Sequence, residues 1–319
     1  RLKNKAYNPI TNKNMEVVLP QMDIEPSTSF VNALTLAEQR ISASVSTKRD
    51  LRSTLKFVSN SAIQLRYADL PISSISRKHI KQLLSHIDIC NGESSHRYNK
   101  IRSYLMMLYK ELIELETVDV NPLRDLSKKK SIQRTRKLPT VENRHLINEY
   151  MQKHQYRFWL FMQIFFHSGA RLTELMKVRR YDVSLTDQYF IIIIKKGRVH
   201  KEVIRPIKNI ALKYWEEAVV SADSDDFIFS KGLLPGRSAI QSYQITKRWN
   251  RHIKTKLGIK ADFYSLKHLN LDETAALLDI NDASAMASHT STIITTKHYA
   301  LGEKQRQNER LKTIANNFA

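Results

Sequence analysis

The chain has 319 residues, 42% of them hydrophobic, which is enough to bury the cores of two domains. It carries 52 Lys and Arg against 31 Asp and Glu, and a net charge of +21 exceeds what solubility requires and selects polyanions, nucleic acid first among them. Cys90 is the only cysteine, which excludes an internal disulfide and a cysteine-based zinc site, and no stretch reaches the roughly 18 apolar residues of a membrane span. No secretory leader opens the chain, so the expected location is cytoplasmic with no membrane partner. Only 7 glycines and 8 prolines argue against a sandwich of many short strands and for a mainly α fold.

Residues 1–26 are polar and punctuated by Pro9, Pro20 and Pro26, which predicts a tail or linker with a short extended piece at 17–19. The opening at Arg1 rather than Met leads us to expect that an N-terminal piece is missing. From 27 to 126 the periodicity is helical. Thr47 and Asp50 mark a helix start, followed by Leu51, Leu55, Val58 and Ala62 on one face and Lys48, Arg49, Arg52 and Lys56 on the other. A second helix starts near Ser76 and carries Ile80, Leu83, Leu84 and Ile87. A third spans about 95–115, with Ile101, Leu105, Leu108, Leu112 and Leu115 in one stripe, and Asn121 and Pro122 end the bundle. Residues 127–139 hold Lys128, Lys129, Lys130, Arg134, Arg136 and Lys137 with little apolar content, which predicts an extended basic linker that tracks phosphates.

A second domain is expected from 140 to 319. Residues 156–166 are almost wholly apolar and read as a buried helix that Gly169 stops. Residues 189–194 and 202–207, with Gly197 between them, read as an antiparallel hairpin, the small sheet of this domain. Helices are expected near 209–220, 238–257 and 265–278 and from Glu303 onward.

Three absences narrow the chemistry. No GxxxxGK[ST] loop is present, since Gly232 to Ser238 has the wrong spacing and no lysine. There is no HExxH, and no carboxylates cluster at metal-ligand spacing, so neither a nucleotide nor a metal cofactor is expected. A DNA-seeking chain of this kind can still cut DNA covalently. A hydroxyl attacks phosphorus, cations neutralise the phosphorane, and an acid protonates the leaving oxygen.

Four stretches supply such groups in order. In His167-Ser168-Gly169-Ala170-Arg171-Leu172-Thr173-Glu174-Leu175, a glycine break places Arg171 at the next helix start, where a guanidinium can face a phosphate and Glu174 can anchor the turn. The run IIIIKKGRVHKEVIRPI puts Lys196 at a hairpin tip, with Lys195 and Lys201 as alternatives for a proton donor. Tyr264-Ser265-Leu266-Lys267-His268 follows, and then Ala287-Ser288-His289-Thr290-Ser291 with Thr295-Thr296-Lys297-His298-Tyr299.

Together these stretches resemble the boxes of the tyrosine recombinase (phage integrase) family, in order: TGLRxSEL, the β-hairpin lysine before a glycine, H-x-L-R-H, and LGHxs…TTxxY. The resemblance covers the chain from about residue 27. It departs at Tyr264, where the pattern has His, at Lys267, where it has Arg, and in the gap from His289 to Tyr299, which is ten rather than nine. Lys267 supplies charge but no bidentate fork, and Tyr264 is a poor base at neutral pH.

The resemblance implies a two-domain, C-shaped DNA clamp, with a helical core-DNA-binding domain at 27–126 and a catalytic domain at 140–319. Tyr299 would be the nucleophile, forming a 3′-phosphotyrosyl link and exchanging strands through a Holliday junction. Arg171, Lys267 and His289 would stabilise the transition state with help from Tyr264, and Lys196 would protonate the leaving 5′-oxygen. DNA contacts are expected from Lys48, Arg49, Arg52, Arg97 and Lys100 and from the basic linker. The implied partners are double-stranded recombination sites, three further copies in a homotetramer, and accessory DNA-bending proteins. The C-terminal helix is similar to the segment that docks onto a neighbouring subunit. A mobile-element integrase, whose missing N-terminal piece would be an arm-binding domain, is preferred over a chromosome-dimer resolvase. Two alternatives stay open: a catalytically degenerate DNA-binding protein of the same fold, and a type IB topoisomerase-like enzyme.

Overall fold

The computed structural model describes residues 7–8, 13–14, 24–131, 136–196, 199–289, 291–298 and 302–313. The extended piece expected at 17–19 lies outside them. Within the N-terminal stretch, β1 (Tyr7–Asn8) pairs antiparallel with β2 (Lys13–Asn14). The chain forms two compact units that meet in sequence between Gln133 and Arg134, so the basic stretch 127–139 is shared between them.

The first unit is a bundle of α1 (Phe30–Arg40), α2 (Val45–Gln64), α3 (Arg77–Cys90) and α4 (Ser95–Glu114). Serine hydroxyls open two of its helices, Ser44 accepting from the Thr47 amide at 3.2 Å and Ser94 from that of Arg97 at 3.3 Å. Such caps satisfy amides that have no partner within the helix. Leu51, Val58, Ile80, Leu83, Leu105 and Leu108 meet in its core, as their spacing predicts. Helix α1 is a correction, because its stretch is not among the expected helices; its buried stripe of Phe30, Ala33, Leu34 and Ala37 packs on α2 and α4. The start of the basic stretch expected as an extended linker is tied to the bundle. The Asn99 side chain bonds both the amide (2.9 Å) and the carbonyl (2.8 Å) of Lys129, and the Lys129 ammonium lies 2.5 Å from the buried carboxylate of Asp88. These bonds pin the start of the basic stretch to α3 and α4.

The second unit begins with α5 (Val141–His154), α6 (Tyr156–Ser168) and the single turn α7 (Leu172–Leu175). Its sheet has three antiparallel strands in the order β3 (Val183–Ser184), β4 (Tyr189–Lys196) and β5 (Val199–Pro206). Only the last two were expected. Alternation decides the faces of the isoleucine run: Phe190, Ile192 and Ile194 point into the core while Ile193 faces out. Then come α8 (Asn209–Val219), α9 (Ser242–Trp249), α10 (Ser265–Leu277), α11 (Ile280–Ala287), α12 (Thr292–His298) and α13 (Glu303–Lys312). The helix expected over 238–257 starts later, at Ser242, and widens into a π-helical stretch at Asn250–Lys256. Helix α6 is buried around most of its surface. Its Phe161 and Phe165 stack on Phe263, the latter at 4.7 Å between ring centres, and each such ring contributes about 1.5–3 kcal/mol of transfer free energy. Phe263 immediately precedes Tyr264, so this stack fixes the start of α10 against α6.

Candidate active site

Helix α6 ends at Gly169, whose φ of +63° lies in the left-handed region that favours glycine. A side chain there would also collide with Met286 of α11, 2.7 Å from its Cγ and 2.9 Å from its carbonyl oxygen. This break turns the chain so that Arg171 caps α7. The buried Glu174 carboxylate accepts from the Arg171 amide at 2.8 Å and from its Nη1 at 2.7 Å, leaving the guanidinium partly exposed. Both oxygens of Glu174 thus orient a single arginine.

The second stretch is placed as backbone. Strands β4 and β5 pair in register from Tyr189 with Pro206 to Lys196 with Val199, so Lys196 is the last residue of its strand. Its side chain and residues 197–198 lie outside the described parts. Lys195 and Lys201 are exposed near the same end.

The third stretch opens α10. The Tyr264 ring lies 5.2 Å from the Arg136 guanidinium, 6.0 Å from the Lys267 ammonium and 5.5 Å, edge-on, from the His268 ring. Lys267 is completely buried. Burial pulls its pKa down to about 7; the nearby charge of Arg171 lowers it further, Glu174 acts in the opposite sense, and Arg205 lowers it again. So large a downward shift brings loss of the proton towards the neutral range. Lys267 therefore supplies less charge than its residue type promises.

The fourth stretch leaves α11 through Ser288, a non-glycine residue at φ +50° where the family pattern has glycine. His289 follows, half-buried, with its Nδ1 2.7 Å from the hydroxyl of the fully buried Thr295 on α12. That bond ties the histidine to the helix whose last residue, His298, precedes Tyr299. Tyr299 itself lies outside the described residues. Helix α13 is held by its own chain: Arg306 bonds Asp272 of α10 at 3.1 Å and Glu303 at 3.0 Å.

The structure adds a residue absent from the expected set. Arg205 of β5 is only 2% exposed and donates a long bond, 3.4 Å, from Nη1 to the Ala285 carbonyl of α11. Its charged neighbours are Glu174 and Arg171, and burial pulls its pKa down to about 10. Arg171, Arg205, Lys267 and Glu174 therefore form one electrostatic cluster, three basic side chains around one carboxylate. No group of three or more potential metal-ligating side chains occurs among the described residues.

No protein-family model and no curated protein matches the chain. Solved structures do. A lambda integrase dimer bound to a COC' core site superposes with a TM-score of 0.65 at 18% identity, over 91% of this chain and 80% of that one. A lambda integrase tetramer bound to a Holliday junction gives 0.67 at 18% identity, over 84% and 79%. The Tn1549 transposon integrase in complex with transposon right end DNA gives 0.66 at 14% identity, over 89% and 99%. The chain has the integrase fold.

Within this integrase fold the basic residues expected to meet DNA are differently placed. Lys48, Arg49, Arg52 and Lys56 line a concavity of about 460 Å³ on α2. Several of the basic residues, Arg52 among them, are already engaged. Arg52 pairs with Glu38 at 3.1 Å, Lys100 with Asp50 at 3.1 Å, Arg97 with the Asn91 carbonyl, and Arg136 with Asp262. Lys128, Lys130 and Lys137 are exposed, and Arg134 lies outside the described residues.

Proposed function

We propose that this chain is a site-specific DNA recombinase, by preference the integrase of a mobile element, which cuts and rejoins DNA through a 3′-phosphotyrosyl link to Tyr299. The observation that carries the reading is an integrase fold spanning nine-tenths of the chain, with Arg171 and Lys267 gathered around Glu174 in one unit. The net charge of +21 supports a polyanionic substrate.

In this reading the Tyr299 oxygen attacks the scissile phosphorus and gives up its phenolic proton to solvent. The bond from phosphorus to the 5′-oxygen breaks, and Lys196 delivers a proton to the departing oxygen. Arg171, Lys267 and His289 hold the phosphorane oxygens, with Tyr264 beside them. A 5′-hydroxyl from a partner duplex then reverses the step, so bond energy is conserved and no nucleotide is consumed. By analogy with the tetramer seen for lambda integrase on a Holliday junction, four copies would act on two sites, and accessory DNA-bending proteins fit the same scheme.

Incubation with nicked suicide duplexes from the DNA flanking its gene, without metal, should give a protein–DNA adduct on a denaturing gel. One observation favours a second reading, a catalytically degenerate DNA-binding protein: Lys267 is wholly buried and its pKa is about 7. Tight specific binding without an adduct would establish that reading instead. A type IB topoisomerase would relax a single supercoiled plasmid, which the proposed recombinase leaves supercoiled in the absence of a second site.

A further inference from the structure

Arg205 is an expensive residue where it stands. A guanidinium has five N–H donors and cannot shed its charge at physiological pH. Among the described residues its Nε and Nη2 have no hydrogen-bond partner, and its Nη1 has only the long contact to Ala285. Glu174 is a charged neighbour but makes no hydrogen bond to it among the described residues, and each Glu174 oxygen accepts one from Arg171. The strand would be better served by an apolar side chain, because Arg205 lies opposite buried Phe190 and shares its face with buried Ile207. A buried fork of donors beside two other cations is suited to an incoming anion that accepts several hydrogen bonds, and a phosphate has that geometry.

The site also lacks something that Arg205 could supply. Lys267 is a point donor that loses part of its charge near neutral pH, where a guanidinium would stay charged and bind two oxygens at once. We propose that Arg205 is the second phosphate-binding guanidinium of this site, making the bidentate contact that Lys267 cannot make. The assignment rests on the recombinase reading for the identity of the phosphate, the scissile one. Its place on β5, in contact with the end of α11, links the sheet to the segment that carries His289. The 3.4 Å bond to Ala285 is weak enough to be exchanged for a phosphate oxygen.

The test compares wild type with Arg205→Met, Arg205→Lys and the double variant Arg205→Met/Lys267→Arg in single-turnover capture on nicked duplexes. Arg205→Met should fold with an unchanged or higher Tm, bind duplex, and lose roughly a hundredfold or more in capture rate. Arg205→Lys should fall between. The double variant should recover much of the loss, because a guanidinium returns from the other side of the cluster. Capture by Arg205→Met at the wild-type rate would overturn the assignment. So would a loss that comes with a lowered Tm and is not relieved in the double variant, which would mark Arg205 as structural. Inorganic phosphate, added at constant ionic strength, keeps the two readings apart. It should raise the Tm of wild type more than that of Arg205→Met whether or not DNA is cut. A wild type that forms no adduct would overturn the recombinase reading alone, whereas equal phosphate shifts in the two proteins would overturn the role of Arg205.

Discussion

The two units each bury an arginine, and the two are treated in opposite ways. Arg102, in the helical bundle, gives its Nε to the Leu126 carbonyl at 2.8 Å and its Nη2 to the Leu123 carbonyl at 3.1 Å. It closes the chain beyond α4 onto the bundle, and its donors are spent doing so. Arg205 is as deeply buried but has, among the described residues, one long bond, and its charged neighbours Arg171 and Lys267 share its sign while Glu174 opposes it. The same contrast runs through the other buried charges. Asp88 and Glu38 in the first unit each have a salt-bridge partner, whereas the basic groups of the second converge on a carboxylate already committed to Arg171. A scaffold satisfies its buried polar groups internally, and a binding site leaves donors for what it binds.

This contrast can be broken by experiment, and the largest expected effect is on pH dependence. Lys267 has a folded pKa of about 7 against an ordinary 10.5, so between those values the unfolded chain binds more protons. The stability of the second unit should therefore rise as pH increases from about 7 towards 10.5, and Lys267→Met should reduce that slope to the part contributed by Lys208, whose pKa burial also lowers. Trp159, Trp215 and Trp249 all belong to this unit, so tryptophan fluorescence during urea unfolding reads it selectively. A flat profile in wild type would mean that the cluster is more solvated than its burial indicates. The first unit should show no such rise, since burial raises the pKa of its Tyr109 and leaves that phenol neutral across the same range.

Next in size, Arg102→Met should cost about 3 kcal/mol, because it leaves two buried carbonyls without donors. Arg205→Met should cost less than about 1 kcal/mol or be stabilising, since it removes a charge with few partners. Chemical denaturation followed by circular dichroism compares them, and the reverse order would dissolve the distinction between scaffold and site. Gly169→Ala should destabilise by about 2 kcal/mol, from the strain of a positive φ and the clash with Met286. It should also lower duplex capture by displacing Arg171. The smallest effect belongs to the scaffold: Ser44→Ala should cost about 1 kcal/mol through loss of the α2 cap, with no change in capture.

Much of this was legible in the residues. The stripes of α3 and α4 and the β4–β5 hairpin follow from periodicity, α6 follows from its nearly continuous apolar run, and Gly169 before Arg171 marks a break that the structure places at φ +63°. Helix α1 was hidden by context. Phe30, Leu34, Ala37 and Ile41 are correctly spaced, but the eleven residues of α1 lie between the polar stretch 1–26 and the longer stripe that begins at Leu51, which drew the first helix start to Thr47. Helix α11 is only eight residues long, too short for a periodic signal. The burial of Lys267 was not legible, because it depends on packing between elements distant in sequence. Arg205 left a fainter trace. In an alternating strand it shares parity with Val203 and Ile207, so a reading that followed parity through β5 would have turned an arginine inward and asked why.

The central claim is that a tyrosine side chain of this protein becomes joined to DNA, and the most direct test is to find which one. Wild type and Tyr299→Phe would be incubated with the same nicked duplexes, and any adduct digested and sequenced by mass spectrometry. The account predicts an adduct in wild type whose modified peptide carries the nucleotide on Tyr299, and none in Tyr299→Phe. An adduct that persists in Tyr299→Phe, or that maps to another residue, would contradict the assignment of the nucleophile and with it the alignment of the fourth stretch.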